Sequence, residues 1–257
     1  MKSALPSVVR DLQSRRGRER RGRTLVEGVR LVDDVRAAGI TLHGALVSPM
    51  LEGTPRGRAL KHDLLAAGVP LVSQSDDELG ELAETEQPQG IIAVTDPPVA
   101  RRDDLRPTRT RPLLVLDAVQ DPGNVGTMLR TALALGAAGV VLLDGSVELG
   151  NPKVLRASMG AAFRLPAVSM PADEFLAWAA ASGLELWAAD LQGAPLHETP
   201  RGTAPVALVM GNEGAGLRPT VAAAACQLVR IPIDPGAESL NVGVAAAILL
   251  YELRRGC

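Results

Sequence analysis

The chain has 257 residues, 46% of them hydrophobic, enough for one large core or two compact ones and too much for disorder throughout. Its two cysteines, Cys226 and Cys257, support neither a disulfide framework nor a cysteine-rich zinc site, so both are expected to be inert and no metal is expected. The net charge of -2 does not by itself point to a nucleic-acid partner, and no apolar run suits a membrane span or a secretory signal, so a cytoplasmic protein is expected.

The overall charge hides a local asymmetry. RRGRERRGR places Arg15, Arg16, Arg18, Arg20, Arg21 and Arg23 together, with Glu19 as the one acid. Such a run matches RNA phosphates, and equally it reads as a solvated tail. Only Phe163, Phe175, Trp178, Trp187 and Tyr251 are aromatic, so an extended base-stacking platform is not expected. RNA recognition would then rest on phosphate, ribose and shape.

From Thr24 to Ala38 the spacing of Leu25, Val26, Val29, Val32 and Val35 predicts a helix stopped by Gly39. TLHGALV follows as a strand, Arg56 to Ala67 as a helix stopped by Gly68, and VPLVS as a strand. Ser75 and Glu78 have capping-box spacing at the head of SDDELGELAE. GIIAVTD closes a small α/β domain over residues 1–96, and the proline-rich, charged stretch 97–111 reads as a linker.

Residues 112–257 begin with the apolar run LLVLDAV, a turn QDPGN and a helix from Val125 to Leu135. GVVLLD, LELWAAD, VALVMG and LVRIPI supply further strands, and LNVGVAAAILLYELRR a final helix. This alternation predicts a parallel sheet with helices on both faces. Ligands collect beyond the carboxyl ends of such strands, so the loops after Val119, Met210 and Ile233 are the places to seek chemistry.

Each of these loops has an ordinary reading. Asn124 is a common helix cap, Arg130 a solvated helix residue, Glu213 an exposed acid, and Ser239 a cap for the final helix. The glycines of VMGNEGAGL allow a ligand close to the backbone, although their spacing is not that of a dinucleotide loop. The combination is more informative, because three polar, glycine-bearing loops directly after apolar strands should converge at one sheet edge.

Together N-x-G-x-x-x-R, G-N-E-G-x-G and I-P-I-x(6)-S-L-N-V resemble, in order and spacing, the three motifs of the SpoU/TrmH RNA 2'-O-ribose methyltransferases. NPKVLRASMGA resembles a further segment of that family, and residues 1–96 resemble its accessory RNA-binding domain more loosely. The resemblance implies a trefoil knot, S-adenosylmethionine as cofactor, and a homodimer whose active site draws on both subunits. It places Asn124, Arg130, Glu213, Ser239 and Asn241 on catalytic or substrate positions. Gly211, Ile231 and Leu240, with Met210 and Ile233 beside them, fall on cofactor positions. Gly243 departs from the serine usual there and adds a helix-weakening glycine.

Other readings fit less. A dinucleotide enzyme would carry its glycine fingerprint at the first strand, and a non-catalytic RNA binder would leave the three loops unexplained. By analogy with the family it resembles, the accessory domain implies 23S ribosomal RNA as substrate more than tRNA. His43, His62 and His197 lie outside the three loops and are read as bland.

Overall fold

The computed structural model describes residues 4–255, so Cys257 lies outside the described residues. The chain divides into two compact units, residues 1–98 with 150–163, and residues 99–149 with 164–257.

The first unit opens with α1 (Leu5–Leu12) and α2 (Arg15–Arg21), followed by β1 (Thr24–Glu27) and α3 (Val29–Ala37). Then come β2 (Leu42–Val47), α4 (Pro55–Ala66), β3 (Leu71–Ser73), α5 (Asp76–Gly80) and β4 (Ile91–Thr95). The sheet order is β1-β4-β2-β3, with β4 antiparallel to both neighbours and β3 parallel to β2. Val9 and Leu12 of α1 pack with Leu25, Leu46, Ile92 and Val94 of the sheet. Gly39 and Gly68 follow α3 and α4 in the left-handed conformation, and Ser75 and Glu78 form the expected capping box.

Two differences from the sequence reading concern local breaks. Residues 24–27 form a strand rather than the first turn of a helix, because Leu25 and Val26 are buried against β4 and Gly28, at φ 94, turns the chain before α3 begins. The arginine run is a helix, not a tail. Ser14 caps α2 by accepting from the Gly17 N–H, and a Cβ at Gly17 would lie 1.9 Å from the Asp11 carbonyl, so α1 and α2 form a tight corner.

The second unit contains β5 (Leu113–Leu116), α6 (Pro122–Ala134) and β6 (Gly139–Leu143) before the excursion 150–163, whose helix α7 (Pro152–Ala157) belongs to the first unit. It resumes with β7 (Ala167–Met170), α8 (Ala172–Ala181), β8 (Glu185–Pro195), β9 (Val206–Met210), α9 (Pro219–Ala224), β10 (Gln227–Arg230) and α10 (Val242–Arg255). All six strands are parallel, in the order β10-β8-β9-β5-β6-β7. Strand β7 escapes the sequence reading because AVSM is short and bracketed by Pro166 and Pro171. LVRIPI is paired only as far as Arg230. Leu105, within the proline-rich stretch, joins Val115, Val141, Phe175 and Val209 in the core.

The strand order reverses beside β5. The chain runs outward through β6 and β7, then returns to place β9 on the other side of β5. Such a switch point opens a crevice at the carboxyl ends of the two central strands.

Candidate active site

The turn after β5 and the loop after β9 meet at this switch point. Asp117 is fully buried and accepts from the Arg218 backbone N–H at 2.8 Å and from Arg218 Nε at 2.5 Å. Arg218 Nη1 also donates to Asp144 at 2.8 Å, and this guanidinium, with the Ala172 N–H, holds Asp144 below the usual carboxylate range. At the other end of the loop, Asn212 Nδ2 donates to the Ala118 carbonyl at 2.8 Å, while its Oδ1 accepts from the Gly214 and Ala215 N–H groups. Loop 211–218 is thus pinned to the end of β5 at both ends. A Cβ at Gly211 would lie 2.6 Å from the Gly216 backbone, so the loop closes on itself only with glycine there.

Asn241 joins the third loop to the first. Its Oδ1 accepts from the N–H groups of Gly243 and Val244, at 2.9 and 3.2 Å, so Asn241 caps α10 and Ser239 does not. Its Nδ2 therefore faces outward, donating to Asn124 Oδ1 at 2.9 Å, and Asn124 Nδ2 in turn donates to Glu213 Oε1 at 2.9 Å. Each amide has one orientation that satisfies both neighbours, and the chain Asn241–Asn124–Glu213 ties the three loops together. Asn124 itself stands at the head of α6, where its N–H is capped by Asp121.

A cavity of about 640 Å³ opens beside this chain. Met210, Gly211, Ile231, Ile233 and Leu240 all line it, as do Glu213, Ser239 and Asn241. The far wall is supplied by Ala189, Asp190, Leu191 and Gln192 of β8. The volume falls in the range of about 300–1,000 Å³ usual for small-molecule sites. Its make-up suits S-adenosylmethionine: Ile231, Ile233, Leu240 and Leu249 offer apolar surface for a flat heterocycle. Glycine backbone approaches closely, and Asp190 and Glu213 are acids that complement a cationic sulfonium.

Arg130 is not among the residues lining the cavity. It is exposed on α6, and its side chain makes no hydrogen bond or ion pair with the described residues. The N-terminal arginines are far from equivalent. Arg18 is 8% exposed, and its Nη1 donates to the Leu12 and Gln13 carbonyls, closing the end of α1. Arg21 and Arg20 pair with Asp11 and hold its carboxyl below the usual range, and Arg15 pairs with Glu19. The side chains of Arg16 and Arg23 have no partner among the described residues. His43 pairs with Asp96 in the first unit, and no histidine lines the cavity.

Sequence reasoning missed Asp117, Arg218, Asp144 and Asn212. One signal was present: an acid directly ending the run LLVL is buried if the strand is, and a buried carboxylate needs a cation. Nothing in the sequence singles out Arg218 among 27 lysines and arginines.

The SpoU rRNA Methylase family matches residues 111–251, and the MRM3-like substrate binding domain matches residues 8–93. The chain is 36% identical to the 23S rRNA (guanosine(2553)-2'-O)-methyltransferase RlmP of Bacillus subtilis, over 99% of this chain and 98% of that protein. It is 33% identical to the 23S rRNA (uridine(2479)-2'-O)-methyltransferase of Streptomyces viridochromogenes, over 95% and 86% of the two chains. The crystal structure of the SpoU methyltransferase AviRb from Streptomyces viridochromogenes in complex with the cofactor AdoMet superposes with a TM-score of 0.86, at 30% identity, covering 98% of this chain and 97% of that one. A motif set read from three loops, the parallel sheet that brings those loops together and full-length similarity agree: the chain belongs to the SpoU rRNA methylase family.

Proposed function

We propose that this protein transfers the methyl group of S-adenosylmethionine to a ribose 2'-hydroxyl of RNA, with 23S ribosomal RNA as the substrate. The observation that carries the reading is the Asn241–Asn124–Glu213 chain, which joins all three motif loops beside a cavity of cofactor size and composition. The relatives from Bacillus subtilis and Streptomyces viridochromogenes, both named as 23S rRNA 2'-O-methyltransferases, support the substrate.

S-adenosylmethionine supplies a methyl group that is already electrophilic. The residues have to align the hydroxyl and assist loss of its proton. Gly211, Ile231 and Leu240, with Met210 and Ile233, hold the cofactor, and Asn124, Glu213, Ser239 and Asn241 orient the groups around the reacting hydroxyl. Arginine stays protonated below a pKa of about 12, so Arg130 is not the base. It clamps the target phosphate and stabilises the developing alkoxide, while the proton passes to solvent or phosphate.

An exposed, unpartnered Arg130 outside its own cavity fits a homodimer in which Arg130 of one subunit serves the partner's site. Val244, Ile248 and Tyr251 form an exposed apolar row on α10, 47%, 37% and 55% accessible, which a second copy would cover. The reading also assigns residues 1–96 to RNA binding and residues 112–257 to methyl transfer, and carries with it the family's trefoil knot and a cytoplasmic location. Calorimetry with S-adenosylmethionine tests it: one site per chain is expected, and no binding would overturn the assignment.

A further inference from the structure

The first unit holds a cavity of about 220 Å³ that the methyl-transfer site does not use. One wall is the corner between β1 and α3. Gly28 turns the chain there at φ 94, and Gln89 Oε1 accepts from the Val29 N–H at 2.9 Å, which fixes the corner with Gln89 in the lining. Another part of the lining comes from the excursion 150–163, through Arg156 and Met159. That segment is built into this unit: Thr24 Oγ1 donates to the Gly150 carbonyl at 2.6 Å, and Arg156 lies 4.0 Å from Glu27. A Cβ at Gly160 would lie 3.1 Å from the Asp34 carboxylate, so the two segments meet closely.

The groups left available have a specific chemistry. The side chains of Arg30, Asp34 and Gln87 make no hydrogen bond or ion pair with the described residues. Met159 is 40% exposed, at a φ of 50. The cavity is below the range of about 300–1,000 Å³ for drug-sized ligands, which limits it to a single small ring system. Guanidinium planes at Arg30 and Arg156 and the Met159 thioether give stacking surface. Asp34 accepts from amino or imino groups, and the glutamine amides donate. A neighbouring cavity of about 470 Å³ shares Arg30 and Gln89 with it, so the exposed Arg30 guanidinium stands between the two spaces, where it can meet a flanking phosphate.

We infer that this cavity receives one extruded nucleotide of the RNA substrate, its base stacked on arginine rather than on an aromatic ring. The inference rests on the reading of the protein as an RNA methyltransferase. It adds that segment 150–163, although it lies in sequence between β6 and β7, completes the substrate-reading surface of the first unit.

The test uses full-length protein and an RNA stem-loop with a single bulged nucleotide, replaced by a fluorescent adenine analogue, beside the same stem without the bulge. The wild type is expected to bind the bulged RNA about tenfold more tightly, with a change in fluorescence as the base restacks. Met159→Glu should bring that preference close to unity and abolish the fluorescence change, and so should Arg30→Ala, which removes an exposed side chain that holds no other residue in place. Equal affinity of the wild type for the two RNAs, or a preference that survives both substitutions, would overturn the inference. S-adenosylmethionine binding and methylation of ribosomal RNA are measured on the same samples. If both persist while bulge preference is absent, the pocket assignment alone fails, whereas loss of both in the wild type overturns the methyltransferase reading on which it rests.

Discussion

The two units carry polar residues that look alike in sequence and behave differently in structure. In the second unit, Glu213 and Asn241 lie 89 and 117 residues along the chain from Asn124, yet the three form one hydrogen-bonded line beside a cavity. In the first unit, six arginines within one short run are dispersed in role: Arg18 closes a helix end, Arg20 and Arg21 hold Asp11, and the side chains of Arg16 and Arg23 have no partner among the described residues. Proximity in sequence is therefore a poor guide to a shared task. Position directly after a parallel strand is a good one, because the sheet gathers such loops at its carboxyl edge.

The largest expected effect lies in the second unit. Arg130→Ala is predicted to lower kcat/KM by about 10²–10³ while S-adenosylmethionine affinity stays within a few fold, because its proposed role is toward RNA and the transition state. Mixing Arg130→Ala with Glu213→Ala protein should restore part of the activity if the site is shared between subunits. No recovery in mixed dimers would show that each chain works alone.

Next in size is the pinning of loop 211–218. Arg218→Ala leaves the fully buried Asp117 without its cation, and a destabilisation of about 3 kcal/mol or more is expected from the shift in denaturant midpoint. Arg218→Lys keeps the charge but not the planar fork that reaches Asp117 and Asp144 together, and should recover only part of that stability.

In the first unit the free and the paired arginines are told apart by salt dependence. Arg16→Ala with Arg23→Ala should lower the log–log slope of RNA binding by about 0.7–0.9 for every phosphate that is no longer neutralised. Arg20→Ala with Arg21→Ala should change it little, since both arginines are already paired with Asp11. Equal effects of the two pairs would mean that Asp11 does not withhold its arginines from RNA.

The smallest effect is expected at Gly243, where a Cβ would lie 3.2 Å from Asn241 Oδ1 and 3.3 Å from Thr127 Cγ2. Gly243→Ser gains helix propensity and meets a tight but yielding neighbour, so a change within about 1 kcal/mol is predicted by thermal denaturation.

Much of the second unit was legible because its strands are continuous apolar runs and its motif residues sit at their ends. The parallel sheet and the convergence of the loops follow from that pattern. The capping role of Asn241 was not legible, since Ser239 and Asn241 are both good caps and only the helix start distinguishes them. Nor was the partner of Asp117, which lies 101 residues away. In the first unit, β1 was hidden because Leu25 and Val26 fit a helical spacing until Gly28 breaks it. The membership of segment 150–163 in that unit depends on tertiary packing against β1, which no local pattern reveals.

Ribose methylation by the three joined loops leaves a chemically distinct product. The most direct test is to incubate the full-length protein with 23S ribosomal RNA and methyl-labelled S-adenosylmethionine, digest the RNA to nucleosides and identify the labelled product. Label is expected on a 2'-O-methylated ribose, formed far more slowly with Arg130→Ala. Label on a base, or unmodified RNA in the presence of bound cofactor, would contradict ribose methylation.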